Sequence, residues 1–236
     1  MSSNISFKSK INFVSAEKFV KLVNSGYKWE KRNIDHLGRC IRFGDDLYTS
    51  KIRTCTGGGL VDPYNEICGF HILNSEHHNK YIKDILAVYL KKIDAKRALI
   101  IGSKNAPTVE YSVENFNIIK KLITSKIKDV TLFERHRFHY SESSFHYSAK
   151  KDTWTIVSVF DDAKRKNIEV TTLKNLLKAF KKIQIAKGDR LFMEGKEILP
   201  QECPKIFLDK NAIPKKESKT EIFFKKISKL LNFSGK

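Results

Sequence analysis

Thr49 to His71 runs TSKIRTCTGGGLVDPYNEICGFH. Its centre, Asp62-Pro63-Tyr64-Asn65, is a strong turn signal, because Pro presets its own φ while Asp and Asn bond their own backbone. Ile67 to Leu73 then reads as a strand returning along the residues before the turn. Upstream, Ile41–Phe43 and Leu47–Ile52 are short apolar runs between Gly and Asp turn signals, and both predict strands. The unit is hairpin-like, with Cys55 ahead of it and His71 inside its second arm.

Working outward, Ser15 to Gly26 reads as a short amphipathic helix with Phe19, Leu22 and Val23 on one face. Asn79 to Lys92 and Ser112 to Ile127 carry apolar residues at helical spacing, and Ser112 fits an N-cap. Arg97–Gly102, Val130–Phe133, Phe138–Tyr147 and Trp154–Phe160 read as strands, the last two as a pair. Beyond Asp161, Val170–Ile183 looks helical, Arg190–Ile198 looks like a hairpin around Glu194-Gly195, and Pro204–Glu217 is a Lys/Pro linker. Residues 220–233 read as a basic amphipathic helix, with Phe223, Ile227, Leu230 and Leu231 on one side. The expected class is α/β (α+β), with a mixed or antiparallel sheet or sandwich core packed with helices. Three regions are expected: an N-terminal helical extension (1–36), a core (37–160) and a basic C-terminal extension (161–236).

At 236 residues with 41% hydrophobic and 11% aromatic content, the chain can bury a real core, which argues against a disordered protein. No apolar run reaches the roughly 18–20 residues of a membrane span, and the first residues lack the apolar stretch of a secretory signal. A cytoplasmic protein, or one exported without a signal peptide, is therefore expected. The formal charge of +19 is mostly Lys and is dispersed. This favours a Lys-rich soluble surface over a nucleic-acid reader, which relies on Arg for bidentate base contacts. Contact with an anionic membrane through 220–233 and docking of that helix on its own domain both stay open. Four scattered cysteines are too few for a disulfide scaffold, so reduced thiols are the default.

Chemically, the hairpin puts a thiol, a run of glycines and an imidazole within reach of one another. Only the thiolate is strongly nucleophilic, so Cys55 needs a basic neighbour, and His71 is placed to be one. Thr54, Thr56 and Gly57 flank the thiol, and glycines let backbone amides approach a developing oxyanion. The plainer readings are a small buried Cys55, a structural strand histidine, and glycines that serve a turn. Cys68 and His71 with His77 and His78 make only half of a zinc site. Gly57–Gly59 lacks the Lys-Ser/Thr of a phosphate loop.

The stretch resembles the chemoreceptor glutamine deamidase family (CheD). Thr49 stands six residues before Cys55, followed by Leu60, Asp62-Pro63, Ile67 and a Gly69 just ahead of His71. The same Thr/Cys/His arrangement occurs in the cytotoxic necrotizing factors and the Burkholderia lethal factor. The resemblance covers about 100 residues, from Leu47 to about Phe138. The Cys-to-His interval is one residue shorter than in the family, and Arg53-Thr54 stands where a Gly usually precedes the Cys. Glu134–Arg137 replaces a later Gly-rich element.

The resemblance implies a CheD-like deamidase fold and a Cys55 nucleophile with His71 as base and then acid. It also implies that Thr49 orients His71, that no cofactor or metal takes part, and that the partner is a protein substrate carrying a target glutamine. Divergence at Glu134–Arg137 and the extra C-terminal region extend the expectation to a toxin-like bacterial effector inside a host cell. Two alternatives remain: a non-catalytic basic binding module on the same scaffold engaging nucleic acid or anionic membrane, and another thiol chemistry such as transglutamination or peptide hydrolysis.

Overall fold

The computed structural model describes residues 9–25, 29–35, 40–75, 82–102, 111–136, 140–161 and 166–208. The basic helix expected at 220–233, like His77 and His78, lies outside the described residues. The protein is α/β, with two mixed β-sheets packed face to face and α-helices packed around them.

One sheet is assembled from β1 (Lys10–Phe13), β3 (Asp46–Ile52), β8 (Ser141–Ser148), β9 (Thr153–Asp161), β10 (Asn167–Glu169), β12 (Arg190–Met193) and β13 (Lys196–Ile198). Its order is β13-β12-β1-β9-β8-β3, with β10 also on β9. β1 lies inside this sheet, parallel to both β9 and β12. The second sheet contains β2 (Ile41–Gly44), β4 (Thr56–Val61), β5 (Ile67–Ile72), β6 (Arg97–Gly102), β7 (Asp129–Arg135) and β11 (Phe180–Gln184). Its order is β11-β7-β6-β4-β5-β2, and β6 and β7 run parallel. Strands from residues 10–13 and 167–198 thus belong to the same two sheets as the 37–160 segment.

The two-residue period of a strand sorts side chains between layers. On β6, Leu99 and Ile101 point into the core between the sheets, whereas Ala98 and Ile100 point outward. The outward face is covered by α3 (Ala87–Lys92) and α4 (Ser112–Thr124), through Leu90, Phe116, Ile119 and Ile123. On the other sheet, α1 (Ala16–Asn24) buries Phe19 and Val23 against Tyr48. With α2 (Trp29–Arg32) and α5 (Leu173–Ala179), five α-helices are described.

Asp62 caps the β4–β5 turn, its carboxylate accepting from the amides of Tyr64 and Glu66 at 2.8 and 2.9 Å. The Arg190–Ile198 hairpin turns through Glu194 and Gly195, both at positive φ.

Three expectations are corrected. Val170–Ile183 is not one helix: α5 ends at Ala179, and Phe180 begins β11, paired with β7. Phe180 and Ile183 enter the inter-sheet core while Lys181 and Lys182 stay exposed, a pattern that suits a charged sheet edge. Ser112 is the first residue of α4 rather than its cap, and Tyr111, at φ +64°, takes the cap position. Gly57, Gly58 and Gly59 lie in β4 and make no turn.

Candidate active site

His71 sits on β5 with its side chain on the inner face, level with Gly57 of β4 and hydrogen-bonded through its amide to the Cys40 carbonyl at 2.9 Å. Thr49 comes from β3 in the opposite sheet. Strands of different sheets approach this closely because the inner face of the second sheet is paved with glycine. A Cβ at Gly57 would stand 2.4 Å from Ile52 Cδ1, and one at Gly69 would stand 2.6 Å from Ile34 Cδ1. These glycines make room for side chains of the facing layer.

Thr49 Oγ1 lies 2.7 Å from His71 Nδ1 and 2.5 Å from Asp35 Oδ2, while Asp35 Oδ1 lies 2.8 Å from the same ring nitrogen. A hydroxyl has one proton to give. The Thr49 hydroxyl donates to Asp35, so it accepts from His71 Nδ1–H, which places a ring proton on Nδ1 and leaves Nε2 for proton exchange. Nε2 is buried and makes no full hydrogen bond in the resting geometry, as is common in sites that tighten only around substrate. The Cys55 thiol acts on the ring from close by. Burial by itself would lower the proton affinity of His71, but the bonds and charges of Asp35 and Cys55 override it and hold the ring up to about 9.

Cys55 stands immediately before β4, 9% exposed. Its neighbours are tied down from several directions. The Arg53 carbonyl accepts from Arg135 Nη1 at 2.8 Å, and the Thr54 carbonyl accepts from the Ser112 hydroxyl at 2.6 Å. The Thr54 hydroxyl donates to Asn74 Oδ1 at 2.8 Å. Thr56 opens β4 with its hydroxyl buried and unpartnered, and Gly57 follows inside the strand. Thr56 and Gly57 are therefore strand residues, Thr56 opposite Ile72 of β5 and Gly57 between His71 of β5 and Ile101 of β6.

Thr49, Cys55 and His71 are thus brought together, and two further residues join them that the sequence did not reveal. Asp35 follows Ile34, a fully buried residue whose amide bonds the Tyr48 carbonyl at 2.9 Å; this anchor delivers the carboxylate beside Thr49. Its only sequence signal was one apolar residue amid polar ones. Arg135, on β7, is 1% exposed, and its Nε and Nη2 have no partner. Burial brings its guanidinium down to about 10, against the opposing pull of Cys55 and then Glu142, so it stays charged at neutral pH. Its signal was the replacement of the Gly-rich element at Glu134–Arg137.

The other thiols differ in kind. Cys68 points to the outer face of β5, opposite to His71, and burial pushes it up to about 12. This geometry separates Cys68 from His71 as joint metal ligands. Among the described residues, no group of three or more His, Cys, Asp or Glu side chains is placed to hold a metal ion. No helix among them is long and apolar enough to cross a membrane.

No protein-family model and no curated protein matches this chain.

Proposed function

We propose that the chain is a protein-glutamine deamidase with a Cys55 nucleophile. The observation that carries this reading is the hydrogen bond from His71 Nδ1 to Thr49, made across the two sheets and completed by Asp35. It fixes the ring with its other edge toward the thiol, the arrangement of a nucleophile, a base and an orienting group.

At neutral pH His71, held up to about 9, already carries the proton on Nε2 as well as on Nδ1, and the Cys55 sulfur beside this imidazolium attacks the carboxamide carbon of a glutamine side chain. Amides at the start of β4 receive the oxyanion charge. His71 gives its Nε2 proton to the amide nitrogen, ammonia leaves, and a thioester remains. His71 then takes a proton from water, hydroxide adds to the thioester, and sulfur departs with its bonding pair, releasing glutamate and restoring the protonated ring beside Cys55. Atoms and charge balance without a cofactor. The partner is a protein presenting an accessible glutamine, in keeping with the toxin-like setting expected from the resemblance.

The test is incubation of a eukaryotic cell lysate with wild type or Cys55→Ala protein, followed by peptide mass spectrometry. Glutamines that gain about one dalton only with wild type are the expected result. Larger amine adducts would assign transglutamination instead, and identical maps from both proteins would reject thiol chemistry on glutamine.

A further inference from the structure

Arg135 is a charged group buried without a carboxylate. Among the described residues it forms no ion pair: Glu142, the acid nearest in influence, pairs with Arg53, and the Asp35 carboxylate is engaged by Thr49 and His71. One guanidinium N–H is held by the carbonyl of Arg53, two residues before Cys55, and Nε and Nη2 remain unpartnered. Taking an uncompensated guanidinium out of water costs several kcal/mol, so an anion is expected beside it. The one group near it that acquires negative charge during thiol chemistry is Cys55.

We propose that Arg135 is the buried counter-charge of the Cys55 thiolate, fixed beneath the nucleophile through the Arg53 carbonyl. When the thiol has lost its proton, the charge left on sulfur sits between an imidazolium on β5 and a guanidinium on β7. The other titratable groups that act on His71, Cys40 or Arg135 beside Cys55 are Asp35, Cys40 itself, just before β2, and Glu142 on β8. Arg135 is a positioning residue in this account: it acts through Cys55 and need not touch substrate. The inference rests on Cys55 as a nucleophile and is independent of glutamine as the substrate.

The experiment is iodoacetamide labelling of the full chain from pH 5 to 9, with each cysteine followed by peptide mass spectrometry. Arg135→Met is expected to move the half-maximal pH of Cys55 labelling up by about one unit, slowing it about tenfold at pH 6.5. Arg135→Lys retains the charge and stays within about threefold of wild type. A folded Arg135→Met with the wild-type profile overturns the proposal. If in wild type Cys55 reacts no faster than Cys203, the nucleophile reading itself fails, a distinct result.

Should Arg135→Met not fold, Cys55→Asp and Cys55→Asn are compared in a His71→Ala background. There the aspartate variant melts higher at pH 7.5 if Arg135 seeks an anion at this position. An aspartate variant melting below the asparagine variant overturns it.

Discussion

The carboxylate of Asp35 reaches His71 Nδ1 at 2.8 Å while Thr49 reaches the same atom at 2.7 Å, so one ring proton is shared between two acceptors. Of the two, Asp35 brings a full charge and Thr49 mainly direction. Asp35→Asn keeps the shape and removes the charge, and an opposite charge at this range accounts for about one to three pH units. In this variant the His71 ring, at about 9 in the native site, is expected to titrate at least about one unit lower, as read from its NMR shifts against pH. An unchanged midpoint would mean that Asp35 is a bystander. Asp35 was not legible in the sequence because its role depends on Ile34 being drawn into the inter-sheet core, and one buried isoleucine has no periodicity to announce it.

β4 is the element that makes the site possible, and its three glycines do so by absence. A Cβ at Gly58 would lie 2.0 Å from the Leu99 carbonyl oxygen on β6, a backbone atom that cannot step aside. A Cβ at Gly57 would meet the end of the Ile52 side chain, which can rotate if its neighbours allow. Gly58→Ala should therefore cost about 3 kcal/mol or more in a denaturant titration, and Gly57→Ala about 1–3 kcal/mol. Equal stabilities for Gly58→Ala and wild type would contradict the β4–β6 spacing. The sequence showed three consecutive glycines and left a turn, an oxyanion loop or a phosphate loop open. Choosing among them required knowing that strands flank β4 on both sides and a second sheet covers it.

Across the whole molecule, His71 links the site to stability. Its proton affinity in the folded state, about 9, exceeds its unfolded value near 6.5. Protonation therefore favours the folded state; the gain is fully present below pH 6.5 and is lost as pH rises through 9. The burial of Cys68, pushed up to about 12, opposes folding in the same direction at still higher pH. From pH 6.5 to 9 the melting temperature should fall by on the order of 5–10 °C, and His71→Gln should flatten this window. Thermal scans at several pH values decide it, and a wild-type curve flat to pH 9 would show that His71 is not charged in the fold. Asp189, raised to about 6 by burial, works in the same sense below that window, its stabilising proton lost as pH climbs from about 4 to 6.

The local pattern of the chain was enough to determine most strands and helices of the 37–160 segment, β4 excepted, and the turn at Asp62-Pro63, because strand and helix periods and turn chemistry are written in neighbouring residues. It was also enough to place Cys55 and His71 on one hairpin. Sequence alone could not show that Lys10–Phe13 would enter the middle of a sheet, that Phe180–Gln184 would leave a helical pattern to pair with β7, or that Asp35 and Arg135 would reach the site. These depend on contacts between residues as much as 183 positions apart, as between Asn12 and Gly195. Burial and pairing across two sheets carry energies larger than local propensity, so the tertiary structure alone decided which charges meet the thiol.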